Sequence, residues 1–95
     1  MENKMKHNYK NLEIWKRSCL LVTNVYKKTR NFPASEEFGL KNQLRRAVVS
    51  VPSNIAEGCG RNSAKELRLF LSISVGSICE VEAQLILSHE LGFIE

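Results

Sequence analysis

Two groups of side chains in this 95-residue chain have the types and spacing to do chemistry. The first is Gly58-Cys59-Gly60-Arg61-Asn62-Ser63-Ala64-Lys65, a glycine-rich turn that feeds a helix start. Free N–H groups at a helix N-terminus, with Arg61, Lys65 and Arg68 nearby, could hold a phosphate. The G-K-[ST] spacing of a nucleoside-triphosphate P-loop is absent. The same residues also suffice to end one helix and begin the next, so a plain turn stands beside the anion reading. The second group is the set of cations Lys41, Arg45, Arg46, Arg61, Lys65 and Arg68 around the second helix and the following turn. They read either as a solvated face or as a surface for a polyanion. Two tyrosines and one tryptophan are explained by the first helix or its approach. Base stacking is therefore not indicated, and phosphate contact would dominate.

Catalytic constellations are thin. Ser50, Ser53, Asn54 and Glu57 place polar groups on one helix, but no histidine or lysine stands at a spacing that would activate a serine. They read instead as repair of a proline kink and as polar contacts to a neighbouring helix. His7 and His89 lie near opposite ends of the chain, with no H-E-x-x-H pairing, so no metal site is expected. Cys59 sits in a basic loop that could lower its pKa, yet no catalytic partner is visible. The expectation is a non-enzymatic protein without cofactor or small-molecule substrate.

Bulk properties bound the setting. A chain of this length buries roughly 60–65% of its unfolded surface, so a monomer is marginal and self-association would help. Cys19, Cys59 and Cys79 are odd in number and widely spaced, which favours reduced thiols in a cytoplasm. The start, MENKMKHNYKN, lacks the apolar core of a secretory signal. The uncharged run Leu69–Cys79 is too short to span a bilayer, which needs about 20 residues. The net charge of +4 is polarised: all 14 Lys and Arg lie at or before Arg68 with six glutamates, giving +8, and the remainder carries four glutamates, giving −4. Such a molecule can meet a polyanion with one end or pair its own ends in an oligomer.

The elements that must position these residues are helices within a single domain, residues 1–95. After a polar tail over 1–11, a first helix is expected over about 12–29. Leu12, Trp15, Cys19, Val22 and Tyr26 share one face, widened by Ile14, Leu21 and Val25. Asn31-Phe32-Pro33 ends it. A second helix is expected over about 36–58, capped at Ser35, with Phe38, Leu44, Val48, Val51 and Ile55 as its apolar stripe. Pro52 interrupts that stripe; a kinked helix and two short helices are both compatible with it. Gly58 is expected to stop the helix in a left-handed conformation. Ser63 and Glu66 form an S-x-x-E capping box for a third helix over about 64–91, with Gly92 just past its end. That helix is apolar nearly all round and needs cover on more than one side.

Arg45-Arg46-Ala47-Val48-Val49-Ser50-Val51-Pro52-Ser53-Asn54-Ile55-Ala56-Glu57-Gly58 resembles the R-R-A-x-x-S-[IV]-P-S-N-I-A-E-G signature of proteins encoded by intervening sequences within 23S ribosomal RNA genes. Leu12-Glu13-Ile14-Trp15, Phe32-Pro33, Gly39-Leu40 and Glu80-Val81-Glu82-Ala83-Gln84-Leu85 extend the similarity over about Tyr9 to Ile94. Within that pattern Ser50, Pro52, Asn54, Glu57 and Gly58 are the structural motif. The resemblance implies a bacterial, cytoplasmic, antiparallel up-down bundle of the four-helix type that assembles into a ring, commonly a pentamer, with a basic surface and no catalytic activity. Relatives include accessory proteins of diversity-generating retroelements, which bind nucleic acid and a reverse transcriptase. The family's fourth helix would begin a few residues past Gly92, so three long helices are expected here, with the fourth missing or supplied by a partner.

The combined expectation is an all-α homo-oligomer that associates with RNA through Arg45, Arg46, Arg61, Lys65 and Arg68. The alternative is a protein–protein interaction scaffold without direct nucleic-acid contact.

Overall fold

A computed structural model describes residues 8–95 of the chain. Residues 1–7, the larger part of the expected polar tail, lie outside the described residues. The described chain is all-helical, with three long helices: α1 (Glu13–Thr29), α2 (Leu40–Cys59) and α3 (Ala64–Glu90). Short 3-10 turns at Tyr9–Asn11 and Ala34–Glu36 lead into the first two. The end of the expected tail is therefore structured, with Tyr9 packed edge-on against Trp15 at 5.2 Å between ring centroids.

The face of α1 turned toward the core is rotated from the expected one. Ser18, Val25 and Thr29 are its buried residues, whereas Ile14 and Tyr26 are exposed. Serine and threonine are tolerated there because their hydroxyls donate back along the helix, Ser18 to the Trp15 carbonyl at 2.7 Å and Thr29 to the Val25 carbonyl at 2.8 Å.

Helix α2 starts later than the sequence suggests. The segment after Pro33 forms a 3-10 turn, and the backbone leaves helical geometry at Gly39 (φ −107°, ψ −120°). The cap comes from Glu36 rather than Ser35: its carboxylate accepts from the Leu40 N–H at 2.9 Å, where the helix dipole favours negative charge. Phe38 consequently falls outside the helix and is 92% exposed instead of contributing to the stripe. From Leu44 onward the stripe is as expected, with Leu44, Ala47, Val48, Val51 and Ile55 all buried.

Helix α2 runs unbroken through Pro52, which removes the two-helix alternative. Proline has no N–H for the Val48 carbonyl. Side chains crowd the neighbouring carbonyls: Ser50 donates to Ala47, Ser53 to Val49 and Asn54 to Ser50. Ser74 of α3 donates to the Val51 carbonyl at 2.9 Å, and Ser50 also bonds the Ser77 hydroxyl. The helix does not stop at Gly58 either. Gly58 is helical and buried, and Gly60 is the C-cap with a right-handed φ of −88°. A Cβ at Gly58 would lie 3.0 Å from the Phe70 Cβ, 3.2 Å from the Leu67 Cδ1 and 3.3 Å from the Leu67 carbonyl oxygen. Glycine is there to let α3 approach.

Helix α3 begins at the expected Ser63 cap, whose hydroxyl accepts from the Glu66 N–H at 3.1 Å. It ends at Gly92, the left-handed residue (φ 81°) of a Schellman motif in which the Gly92 and Phe93 N–H groups reach back to His89 and Ser88. The turn brings Phe93 onto Phe32, 5.4 Å between ring centroids, closing one end of the core.

Helix α2 lies between the other two and packs against both. The molecule is elongated, 53 × 20 × 19 Å, and its radius of gyration of 15.3 Å exceeds the roughly 12 Å of a compact chain this long. The core divides into two clusters. One gathers Val25, Phe32, Leu44, Ala47, Val48 and Val81; the other gathers Val51, Ile55 and Cys59 with Leu12, Trp15, Leu67 and Leu71 around them.

Candidate nucleic-acid interface

The five cations singled out by sequence fall into two groups. Arg45 and Arg46 lie midway along α2, and Arg61, Lys65 and Arg68 gather at the turn into α3. From Arg46 to the end of α2 at Cys59 the helix runs roughly 20 Å at 1.5 Å per residue, and Arg61 lies just beyond that end.

Arg45 is largely committed to the protein itself. Its Nε donates to the Thr29 hydroxyl at 2.9 Å, its Nη2 donates to the Tyr26 carbonyl at 3.2 Å, and its guanidinium lies over the Tyr26 ring, 4.2 Å from the centroid. A planar fork suits this combined role in a way a lysine could not. It satisfies last-turn acceptors of α1 and ties that helix end to α2. Arg61 is similarly engaged. It pairs with Glu57 at 2.9 Å, approaches Glu66 at 3.9 Å, and covers the Phe70 ring at 4.8 Å. Glu57 thus serves as the partner of Arg61. With Glu66 occupying the start of α3 and Arg61 turned toward both carboxylates, the turn reading of the glycine-rich segment gains and the phosphate cradle loses.

Arg46, Lys65 and Arg68 are exposed, and among the described residues they form no ion pair. Arg46 borders a polar groove of about 570 Å³ along α2 that also includes Tyr26, Arg45, Asn42, Ser53 and Asn54. Sequence reasoning missed Tyr26 and Asn42 as surface features. Tyrosine at an apolar helical spacing reads as core, and only the rotation of α1 puts it outside.

Cys59 is not the activated thiol its basic surroundings suggested. It is 1% exposed, it belongs to α2 rather than a loop, and burial pushes its pKa up from the ordinary 9.0.

A second surface is apolar. Leu69, Ile73, Val75, Ile78, Ile86 and Leu87 of α3, with Leu91 just past its end, are 43–60% exposed. An apolar groove of about 450 Å³ runs between α1 and α3 over Val51 and Ile55, walled by Ile14, Leu21, Leu71, Val75 and Ile78. By length and composition α3 is apolar enough to cross a membrane: an 18-residue window has mean hydropathy 1.5 with 22% of it buried. The sequence had suggested a shorter apolar run. Glu80 and Glu82 fall in the middle of this helix, where ionised side chains would be costly in lipid.

No curated relative matches the chain. The model of the 23S rRNA-intervening sequence protein family matches residues 10–95, and the chain belongs to that family.

Proposed function

We propose that the protein is a non-enzymatic bundle of the four-helix type, with antiparallel helices, completed by association with copies of itself, and that its basic surface engages nucleic acid, RNA foremost. The antiparallel arrangement is supported by the clusters. Leu12 and Trp15 at the start of α1 surround Ile55 and Cys59 at the end of α2, while Val25 near the end of α1 joins Leu44 and Val48. Self-association is supported by the exposed apolar residues on the flanks of α3, since large exposed apolar patches mark interaction sites. A ring of five is the form that the family resemblance suggests.

The observation that carries the nucleic-acid reading is that Arg46, Lys65 and Arg68 form no ion pair among the described residues, on a molecule whose net charge is +4. Cations without carboxylate partners are available for phosphate, and each phosphate neutralised contributes to a salt-dependent affinity. Titration of labelled RNA across a salt series tests this. Binding should weaken steeply with salt, and an Arg46→Ala/Lys65→Ala/Arg68→Ala variant should bind less and with a shallower slope. Absence of binding at low salt would sink the reading.

The interaction-scaffold alternative draws on the internal engagement of Arg45 and Arg61, which removes two of the five cations from straightforward phosphate contact. Loss of the oligomer with rising salt, with no RNA retained at any salt, would favour it.

A further inference from the structure

We propose that the groove between the end of α1 and the middle of α2 takes one nucleotide of a single strand, the base stacking on the Arg45 guanidinium and the phosphate meeting Arg46. The proposal rests on the nucleic-acid reading above and adds to it a mode, a strand state and a place. Four observations carry it.

The first is the fixed plane of Arg45. Its contacts with the Tyr26 ring, the Tyr26 carbonyl and the Thr29 hydroxyl hold the guanidinium over the ring, 4.2 Å from the centroid. Unpaired bases stack on arginine planes as well as on aromatic rings, and a plane that is already immobilised loses little freedom when a base arrives. Tyr26 and Arg45 both line the groove, so ring and guanidinium together form a platform there.

The second is charge. The groove contains Lys41, Arg45 and Arg46 against a single carboxylate, Glu37. Lys41 and Glu37 pair at 3.0 Å and cancel, which leaves a surplus of two positive charges, one of them on the unpaired and exposed Arg46. The third is hydrogen-bonding capacity. The Asn42 side chain forms no hydrogen bond among the described residues, and Asn54 uses its Nδ2 on the Ser50 carbonyl at 2.8 Å, which leaves its Oδ1. Amides of this kind can read the edge of a base. The fourth is size: about 570 Å³ is within the range of small-ligand sites, and the groove lies open along the helix so that a strand can enter and leave it. A duplex hides its bases in the stack, so a platform of this type selects single strands.

The test uses the whole chain with a short single-stranded RNA containing 2-aminopurine, the same sequence as a blunt duplex, and a single-stranded DNA counterpart. Single strands should bind about tenfold more tightly than the duplex, with a change in 2-aminopurine emission on binding. Arg46→Ala should weaken binding and reduce the salt slope by about 0.7, the share of one phosphate on a single strand. Arg45→Lys keeps the charge and should abolish most of the emission change. Because Arg45 also ties two helices together, Asn42→Glu provides an independent arm: it alters an exposed side chain that has no hydrogen-bond partner among the described residues, and should weaken single-strand binding about tenfold, with helix content unchanged. Equal binding of duplex and single strand would overturn the proposal. So would Asn42→Glu and Arg46→Ala variants that bind as the parent does while Lys65→Ala/Arg68→Ala does not, although the general nucleic-acid reading would then survive. Failure of every nucleic acid to bind at low salt would remove both. Equal binding of RNA and DNA single strands supports the groove as described, since none of its named contacts requires a ribose hydroxyl.

Discussion

Two glycines in helices of this protein do opposite things, and the difference can be measured. A Cβ at Gly58 would press on the Phe70 Cβ, the Leu67 Cδ1 and the Leu67 carbonyl, the last of which cannot swing aside. A Cβ at Gly76 would meet nothing within 4 Å. Alanine is favoured over glycine in a helix by roughly 0.5–1 kcal/mol, and overpacking costs about 1–3 kcal/mol. Gly76→Ala should therefore raise stability by about 0.5–1 kcal/mol, whereas Gly58→Ala should lower it by about 1 kcal/mol. Urea titrations followed by circular dichroism would compare them directly. Cys59 supplies a pH prediction at the same scale. Its folded-state pKa is raised by burial, so above pH 9.0 the unfolded chain loses a proton that the fold retains. The contribution is present in full below that pH and declines as pH rises through it. Cys59→Ala should flatten the alkaline fall in stability, and iodoacetamide should label exposed Cys79 well before Cys59.

Among the elements, α2 depends on a hydroxyl donated across from α3. Ser74 is 3% exposed and donates to the Val51 carbonyl beside Pro52, so Ser74→Ala should cost about 1 kcal/mol in a denaturant titration. A Ser72→Ala control on the exposed side of the same helix should change stability by less than about 0.5 kcal/mol. Much of this architecture was legible in the residues. The Ser63 cap, Gly92 and the Leu44–Ile55 stripe each carry a local signal strong enough to stand without tertiary help, whereas the Glu66 carboxylate turns to Arg61 instead of closing the S-x-x-E box. The failures also have local causes. Ser35 and Glu36 are both acceptable near a helix start, and only the backbone turn at Gly39 decides that the glutamate provides the cap. Gly58 carries the same letter as a helix stop, and only the proximity of Leu67 and Phe70 shows it to be a packing residue. The candidate site was half legible. Arg46 could be named from its charge, but the pairing of Arg45 with Tyr26 depends on which way α1 is turned, and hydrophobic spacing alone pointed elsewhere.

At the scale of the molecule, the exposed flanks of α3 require an answer from another surface. Val75 and Ile86 are 60% and 58% exposed, and eleven residues apart they share one face of the helix. A Val75→Glu/Ile86→Glu variant should keep its helix content and lose assembled mass by native mass spectrometry; an unchanged assembly would place the contact elsewhere. The long shape has a further result. The single tryptophan, Trp15, belongs to the cluster around Val51, Ile55 and Cys59, while Phe32 and Phe93 close the other cluster, which contains no tryptophan. Indole emission therefore watches one end of the rod and is blind to the other. Melting curves from tryptophan fluorescence and from far-ultraviolet dichroism will superimpose only if the two clusters unfold as one cooperative unit. If the end carrying Phe32 and Phe93 frays first, dichroism will fall before the indole responds, and the protein will report on its own divisibility without a label.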